Sequence, residues 1–323
     1  MAHRGKRSRG SPQKKGARLV SYTLDRFSLD DLRHWQRKSR SIEEYHLRVY
    51  HELEAQRQLN RGELLKALRE AKRPSPLSLE RWVRMVDYKY SSQPLSAAGS
   101  IVSIGGRFNI GQDLRQSAPF HALYLAEDAD TAFREYYGMA REERRSKLTP
   151  LDLALTPKKS FACVNVSGAA TNLLDITDAK HLKEFCDAFA NFSIDPKLKE
   201  LLHGTSLPEM QIVRDPKVLL KTMLLQSWRE LGMQLGIPSN SQVFGRIAFE
   251  AGYDGILYNS VRGDGRCLSV FLENLTHSET VLRLSDPPPS SETIVELNSD
   301  TWTRLVTPFS LAKAAARFFA VLH

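Results

Sequence analysis

Apolar residues recur along this chain with two different periods. From about residue 19 to 74 the spacing is helical. Ser28 precedes Leu29-Asp30-Asp31-Leu32, an N-cap followed by acids in the first turn. Ser41 and Glu44 match the capping-box pattern S-x-x-E and predict a helix with Tyr45, Val49, Tyr50 and Leu53 on one face. A second helix is predicted from near Gly62 through Leu64, Leu65 and Leu68. Lys72-Arg73-Pro74-Ser75-Pro76 breaks the pattern and predicts a boundary.

From about 77 to 285 short strands mix with helices. His121–Ala126 reads as a strand. Asp128 or Asp130 caps a helix running through Phe133 and Glu135 to Tyr137, and Gly138 stops it. Leu198–Leu202 and Pro216–Leu231 are predicted helices. Phe244, Ile247, Ala248 and Ala251, at i, i+3, i+4 and i+7, predict another that ends at Gly252. Strands are expected at Gly255–Tyr258 and Cys267–Leu272. Pro287-Pro288-Pro289-Ser290-Ser291 reads as a linker or edge loop, and Leu311–Leu322 as a final helix with one apolar face. The chain thus divides into a tail over 1–18, a helical segment over 19–76, an α+β domain over 77–285, and a Pro-rich linker with a C-terminal helix over 286–323.

Charge changes this picture at one end only. Seven of the net nine positive charges sit on residues 1–18, which hold no acid, so the rest of the chain is close to neutral. A Gly-, Ser-, Lys- and Arg-rich tail cannot bury apolar surface and is expected to be disordered. Through that tail alone the chain is a candidate for non-specific nucleic-acid binding, the alternative to an enzymatic reading. No apolar run approaches the ~18 residues of a membrane span, and no apolar stretch follows the basic N-terminus to make it a secretory signal. Cys163, Cys186 and Cys267 lack metal-ligand spacing and read as reduced, small apolar residues of a cytoplasmic protein. No metal site is expected.

Four short segments place a polar residue at an element end or in a glycine-rich turn. They are Gly105-Gly106-Arg107-Phe108-Asn109, Tyr124-Leu125-Ala126-Glu127, Ala132-Phe133-Arg134-Glu135 and Gly255-Ile256-Leu257-Tyr258-Asn259-Ser260-Val261-Arg262. Each alone is an ordinary turn, core tyrosine, helix-surface acid or strand-end serine. Together, in this order, they resemble the RES-domain family, named for its Arg, Glu and Ser. The resemblance covers about residues 80–275. The chain departs from the family pattern in carrying Phe108 where Trp is usual. Either Arg81 or Arg84 fills the place of a first-strand arginine, and 124 residues separate Glu135 from Ser260, which predicts an insertion within about 139–210.

The resemblance implies an α+β fold like that of ADP-ribosyltransferases, with a split mixed or antiparallel sheet flanked by helices behind the N-terminal helical segment. It implies NAD as a consumed substrate and no bound cofactor. The absence of a G-x-G-x-x-G after a strand agrees, since NAD would then not be a hydride carrier. Cleaving the nicotinamide–ribose bond builds positive charge on the ribose, and Glu135 is the carboxylate to stabilise it, with Ser260 holding the ribose or supporting Glu135. Tyr124 would stack on nicotinamide. Arg107 would bind the phosphates, with Arg84 or Arg81 second and Arg262 third. Water, phosphate or a protein side chain would accept the ADP-ribose. The family further implies a toxin restrained by a helix-turn-helix antitoxin, or here by the N-terminal region 19–74 acting in cis; a homo-oligomer is compatible with it, and no membrane is expected.

Overall fold

The computed structural model describes residues 29–70, 76–114, 117–139, 160–205 and 207–306. The basic tail, most of the predicted boundary near 74 and the helix expected over Leu311–Leu322 lie outside the described residues.

The chain enters the body through two helices, α1 (Leu29–Leu59) and α2 (Arg61–Arg69). The break expected at Ser41 is absent. Its hydroxyl donates back to the Arg37 carbonyl at 3.2 Å within the helix, and with no Gly or Pro nearby the good helix formers around it carry α1 straight through. Tyr45 and Val49, with Leu53, pack on Leu198, Leu201 and Leu202 of the 3₁₀ helix Pro196–Leu202. Gln56 Nε2 donates to the Ser193 carbonyl at 2.7 Å, and the Asp195 N–H donates to Glu52 at 2.9 Å. The two stretches that stood out in the sequence, the N-terminal segment and part of 139–210, therefore pack on each other. Within 139–210 the structure also places β3 (Phe161–Ala170) and β4 (Leu173–Asp175), which are integral to the sheet.

The architecture is α+β. Its eight-stranded mixed sheet runs in the order β4-β5-β6-β2-β1-β3-β7-β8. Besides β3 and β4, the strands are β1 (Leu77–Asp87), β2 (Ala122–Ala126), β5 (Gly255–Asn259), β6 (Arg266–Phe271), β7 (Val281–Leu284) and β8 (Glu296–Leu297). β4 and β5 are parallel and the other pairs antiparallel. β1 registers with β3 from Leu77↔Ala170 to Asp87↔Phe161, with a bulge between Leu79 and Trp82. Between β1 and β2 the only registered pair is Val83↔Ala126, so the sheet is two halves joined at one point.

Strand alternation sends side chains into two cores. Leu123, Leu125, Leu257, Leu268 and Val270 face one core, which Leu297, Trp302 and Leu305 close. Ala122, Ala126, Ile256, Tyr258 and Phe271 face the other. The second core is covered by α2 and by α4 (Lys183–Asp187), α5 (Pro216–Met223), α6 (Arg229–Leu235) and α7 (Asn240–Glu250). α3 (Ala129–Tyr137) follows β2. The chain does not leave the body at Pro287: residues 293–306 contain buried Leu297, Trp302, Leu305 and Val306, so the proline run is an edge loop between β7 and β8. Among the described residues no helix is long and apolar enough to cross a membrane.

The seating of α7 on the glycine-rich turn depends on Gly245. A Cβ there would lie 2.1 Å from the Phe108 carbonyl oxygen. We expect Gly245→Ala to lower stability by about 2–3 kcal/mol in chemical denaturation, since the obstacle is backbone. Gly62→Ala, in α2 with nothing within 4 Å of the added Cβ, is the control and should leave stability unchanged or higher.

Candidate active site

The opening between β1 and β2 leads into a cavity of about 590 Å³. Arg107, Tyr124, Glu135 and Arg262 all line it, and so does Arg84. Each reaches it from a different element.

Arg107 sits on a turn whose shape follows from its neighbours. Gly105 has φ +89°, a conformation that favours glycine. A Cβ on Gly106 would lie 2.5 Å from the Tyr124 hydroxyl, so only glycine fits against that ring. The Tyr124 Oη accepts the Phe108 N–H at 3.0 Å and donates to Asn109 Oδ1 at 2.8 Å. Asn109 Oδ1 also accepts the Gly106 N–H at 2.9 Å, and its Nδ2 donates to the carbonyls of Ser100 and Phe120, each at 2.9 Å. Phe108, in place of the family's Trp, is fully buried, its ring 4.9 Å edge-on from Tyr258. The aromatic after the arginine thus anchors the turn. Asn109, to which sequence reasoning assigned no role, satisfies every one of its hydrogen-bonding groups here.

Glu135 rides on α3, capped by Asp128, whose carboxylate accepts the Thr131 N–H at 2.8 Å, and ended by Gly138 at φ +71°. Its Oε1 accepts from the Ser260 hydroxyl at 2.6 Å and from the Val261 N–H at 3.3 Å. Ser260 Oγ itself accepts the N–H groups of Arg262, at 3.0 Å, and Gly263, at 2.8 Å. Two donors pointing in leave its single proton to point out, toward Glu135. Ser260 is buried behind the carboxylate rather than on the cavity wall. The sequence expects it to hold the ribose or to support Glu135, and its hydroxyl donates to the Glu135 carboxylate, as the second of these roles requires.

The cations differ in how they are held. Arg107 Nη1 donates to the carbonyls of Leu225 at 2.8 Å and Met223 at 3.3 Å, while Nη2 stands 4.0 Å from Glu135 Oε2. Arg262 donates to the carbonyls of Gly138, Met139 and Gln226, and its Nε lies 3.9 Å from the same Oε2. Between Arg81 and Arg84 the bulge in β1 decides: Arg81 is exposed, and Arg84 is buried. The Arg84 guanidinium donates to the carbonyls of Pro94 at 2.6 Å, Ser96 at 2.6 Å and Tyr124 at 3.2 Å. Burial pushes it down to about 10, which leaves it a cation at neutral pH. With three carbonyls to serve, Arg84 clamps β1 to β2, and it does so in the lining of the cavity where the sequence expects it to meet a phosphate.

Trp228 and Arg229 are among the lining residues to which the sequence assigned no role. The sequence suggests one helix over Pro216–Leu231, but the chain breaks after Met223 and restarts at Arg229. The break frees the Met223, Leu225 and Gln226 carbonyls that hold Arg107 and Arg262, and it sets Trp228 and Arg229 against the cavity. The signal was there in Gln226-Ser227, a polar pair ending an apolar run. Arg229 binds its proton less tightly than usual because of desolvation, and because Arg107 and Arg262 face it. Burial raises the Tyr258 phenol and the Cys267 thiol well above their ordinary values, so both line the cavity as neutral groups. Among the described residues no cluster of His, Cys, Asp and Glu could hold a metal ion.

The chain belongs to the RES domain family, which matches it over residues 81–288. A solved structure, the crystal structure of the M. tuberculosis MbcT–MbcA toxin–antitoxin complex, is similar over 75% of this chain and 96% of the matched chain, at 18% identity and a TM-score of 0.38. No curated protein matches.

Burial pushes Tyr124 up to about 12 from an ordinary value of 10.0. A raised folded value means that the stability is fully present below pH 10 and is lost as pH rises through 12. The loss attributable to Tyr124 is about 3 kcal/mol. Denaturant midpoints at pH 9 and 11 should therefore fall less steeply in Tyr124→Phe than in the parent protein.

Proposed function

We propose that this protein is an NAD-consuming enzyme that cleaves the nicotinamide–ribose bond and passes ADP-ribose to water, phosphate or a protein. The observation that carries this reading is one anchored carboxylate set among arginines and aromatic rings in a single cavity. Glu135 Oε1 is occupied by Ser260 and Val261, so Oε2 is the oxygen left for a substrate. Nicotinamide leaves as a neutral molecule from a cationic nucleotide, so departure needs no strong acid. The ribose left behind carries the positive charge, and Oε2 can stabilise it. The Tyr124 ring offers a flat face whose hydroxyl is already fixed, and nicotinamide can stack on it. NAD enters this scheme as substrate, with no resident cofactor.

Membership of the RES domain family supports reading the protein as a toxin that a partner must restrain. We place that restraint in a second protein, a helix-turn-helix antitoxin with a carboxylate that competes for the arginines. The other candidate is a restraint in cis by the N-terminal region 19–74; that α1 and α2 do not line the cavity favours the second protein.

Glu135→Gln should lower the rate of NAD loss by about 10²–10³ while the protein stays folded. Ser260→Ala should lower kcat by a smaller factor. NAD depletion, followed with and without added phosphate in the purified full chain, is the measurement. Equal rates in parent and Glu135→Gln would sink the mechanism.

A further inference from the structure

The arginines around the cavity do not have equally free N–H groups. Arg84 gives three donors to backbone carbonyls. Arg262 also gives three, and turns its Nε toward Glu135. Both protons of Arg107 Nη1 go to carbonyls and its Nη2 faces Glu135. These three side chains are built into the wall.

Arg229 is different. It lines the cavity but has no hydrogen-bond acceptor and no carboxylate partner among the described residues. Its contact is the face of Trp228, with the guanidinium carbon 4.8 Å from the ring centroid. The same indole lies 5.7 Å from the Arg107 guanidinium. Stacking engages the flat face of a guanidinium and leaves the N–H donors around its edge unspent. Electrostatics point the same way. Arg107 and Arg262 approach the Glu135 carboxylate, and Asp87 is the other acid of the lining, so with Arg84 and Arg229 four guanidiniums face two carboxylates and the cavity keeps a positive excess that neighbouring backbone does not neutralise. An anion entering it relieves that repulsion.

We propose that Arg229, held over the Trp228 ring, is the group that grips the diphosphate of the dinucleotide, and that Arg107 and Arg262 act through Glu135 as positioning residues. This rests on the NAD reading above and reverses the order of the phosphate-binding arginines that the sequence suggests. Arg229 matches a diphosphate because its edge offers parallel N–H groups to two oxygens at once. Trp228 is a positioning residue: it presents the guanidinium without consuming a donor.

The test uses the full chain and two readouts, steady-state NAD consumption and calorimetric binding of inorganic pyrophosphate. Arg229→Gln should raise KM for NAD by about tenfold or more, with a much smaller change in kcat, and should weaken pyrophosphate binding by a similar factor. Arg262→Gln should do the reverse, lowering kcat more than it raises KM. Trp228→Ala should copy Arg229→Gln, and Trp228→Phe, which keeps a ring under the guanidinium, should restore most of the affinity. Arg229 is solvent-exposed and its contact among the described residues is the stacking on Trp228, so its replacement should change the melting temperature little. Parent-like KM and pyrophosphate affinity in Arg229→Gln, in a protein that does consume NAD, would overturn the proposal and leave the NAD reading standing. Pyrophosphate binding that depends on Arg229 in a protein that does not consume NAD would overturn the NAD reading and leave Arg229 as an anion site. If the parent protein neither consumes NAD nor binds pyrophosphate, both fall.

Discussion

The two halves of the sheet share a single registered pair, Val83 with Ala126, and the site depends on that join. Beyond it β1 and β2 diverge, which strips backbone groups of their ladder partners. An unpaired buried group costs about 1–3 kcal/mol. Arg84 answers for one strand by reaching across to the Tyr124 carbonyl while it also ties down the loop carbonyls of Pro94 and Ser96. A buried guanidinium is itself expensive, but three carbonyl acceptors offset that cost. The gap it props open is the cavity, and Tyr124 stands at its edge because it shares the inward face of β2 with Ala122 and Ala126.

The other buried cations follow the same logic. Wherever the chain is irregular near the cavity, an arginine takes up the freed carbonyls: Arg107 and Arg262 at the break after Met223, and Arg262 again where α3 ends at Gly138 and Met139. Solvating cations with peptide dipoles instead of carboxylates leaves their charge uncompensated. The Glu135 carboxylate has an oxygen fixed by neutral donors, Ser260 and Val261, so the approach of two guanidiniums to the other oxygen directs it at the longer distances of 3.9 and 4.0 Å.

Elements whose ends carry their own chemistry were legible in the sequence. The helix bearing Glu135 begins at Asp128 and stops at Gly138, where a cap and a left-handed glycine demand it. β2, β5 and β6 followed from short apolar runs. The helix start at Ser41 was not real, because a serine inside a run of good helix formers can satisfy its hydroxyl on the preceding turn. The break in Pro216–Leu231 has only the polar pair Gln226-Ser227 as a local sign, because the residues around it have adequate helix propensity. What stops the helix is long-range competition, with guanidiniums from residues 107 and 262 bonding the carbonyls that the next turn would need.

The sequence by itself marked Arg107, Tyr124, Glu135 and Arg262, residues that line one cavity, through the order of its turn, strand, helix and strand-end motifs, and it determined the local geometry that displays them. Tertiary structure decided how those residues divide the work. A bulge between Leu79 and Trp82 turned Arg84 inward and left Arg81 in solvent. Two backbone N–H groups aimed the Ser260 proton at Glu135. The spare donors ended on Arg229, a residue no motif marks. The physical reason is that capping, turn and periodicity signals act within a few residues of one another. The allocation of hydrogen-bond donors among buried charges is settled only when carbonyls from distant segments compete for them.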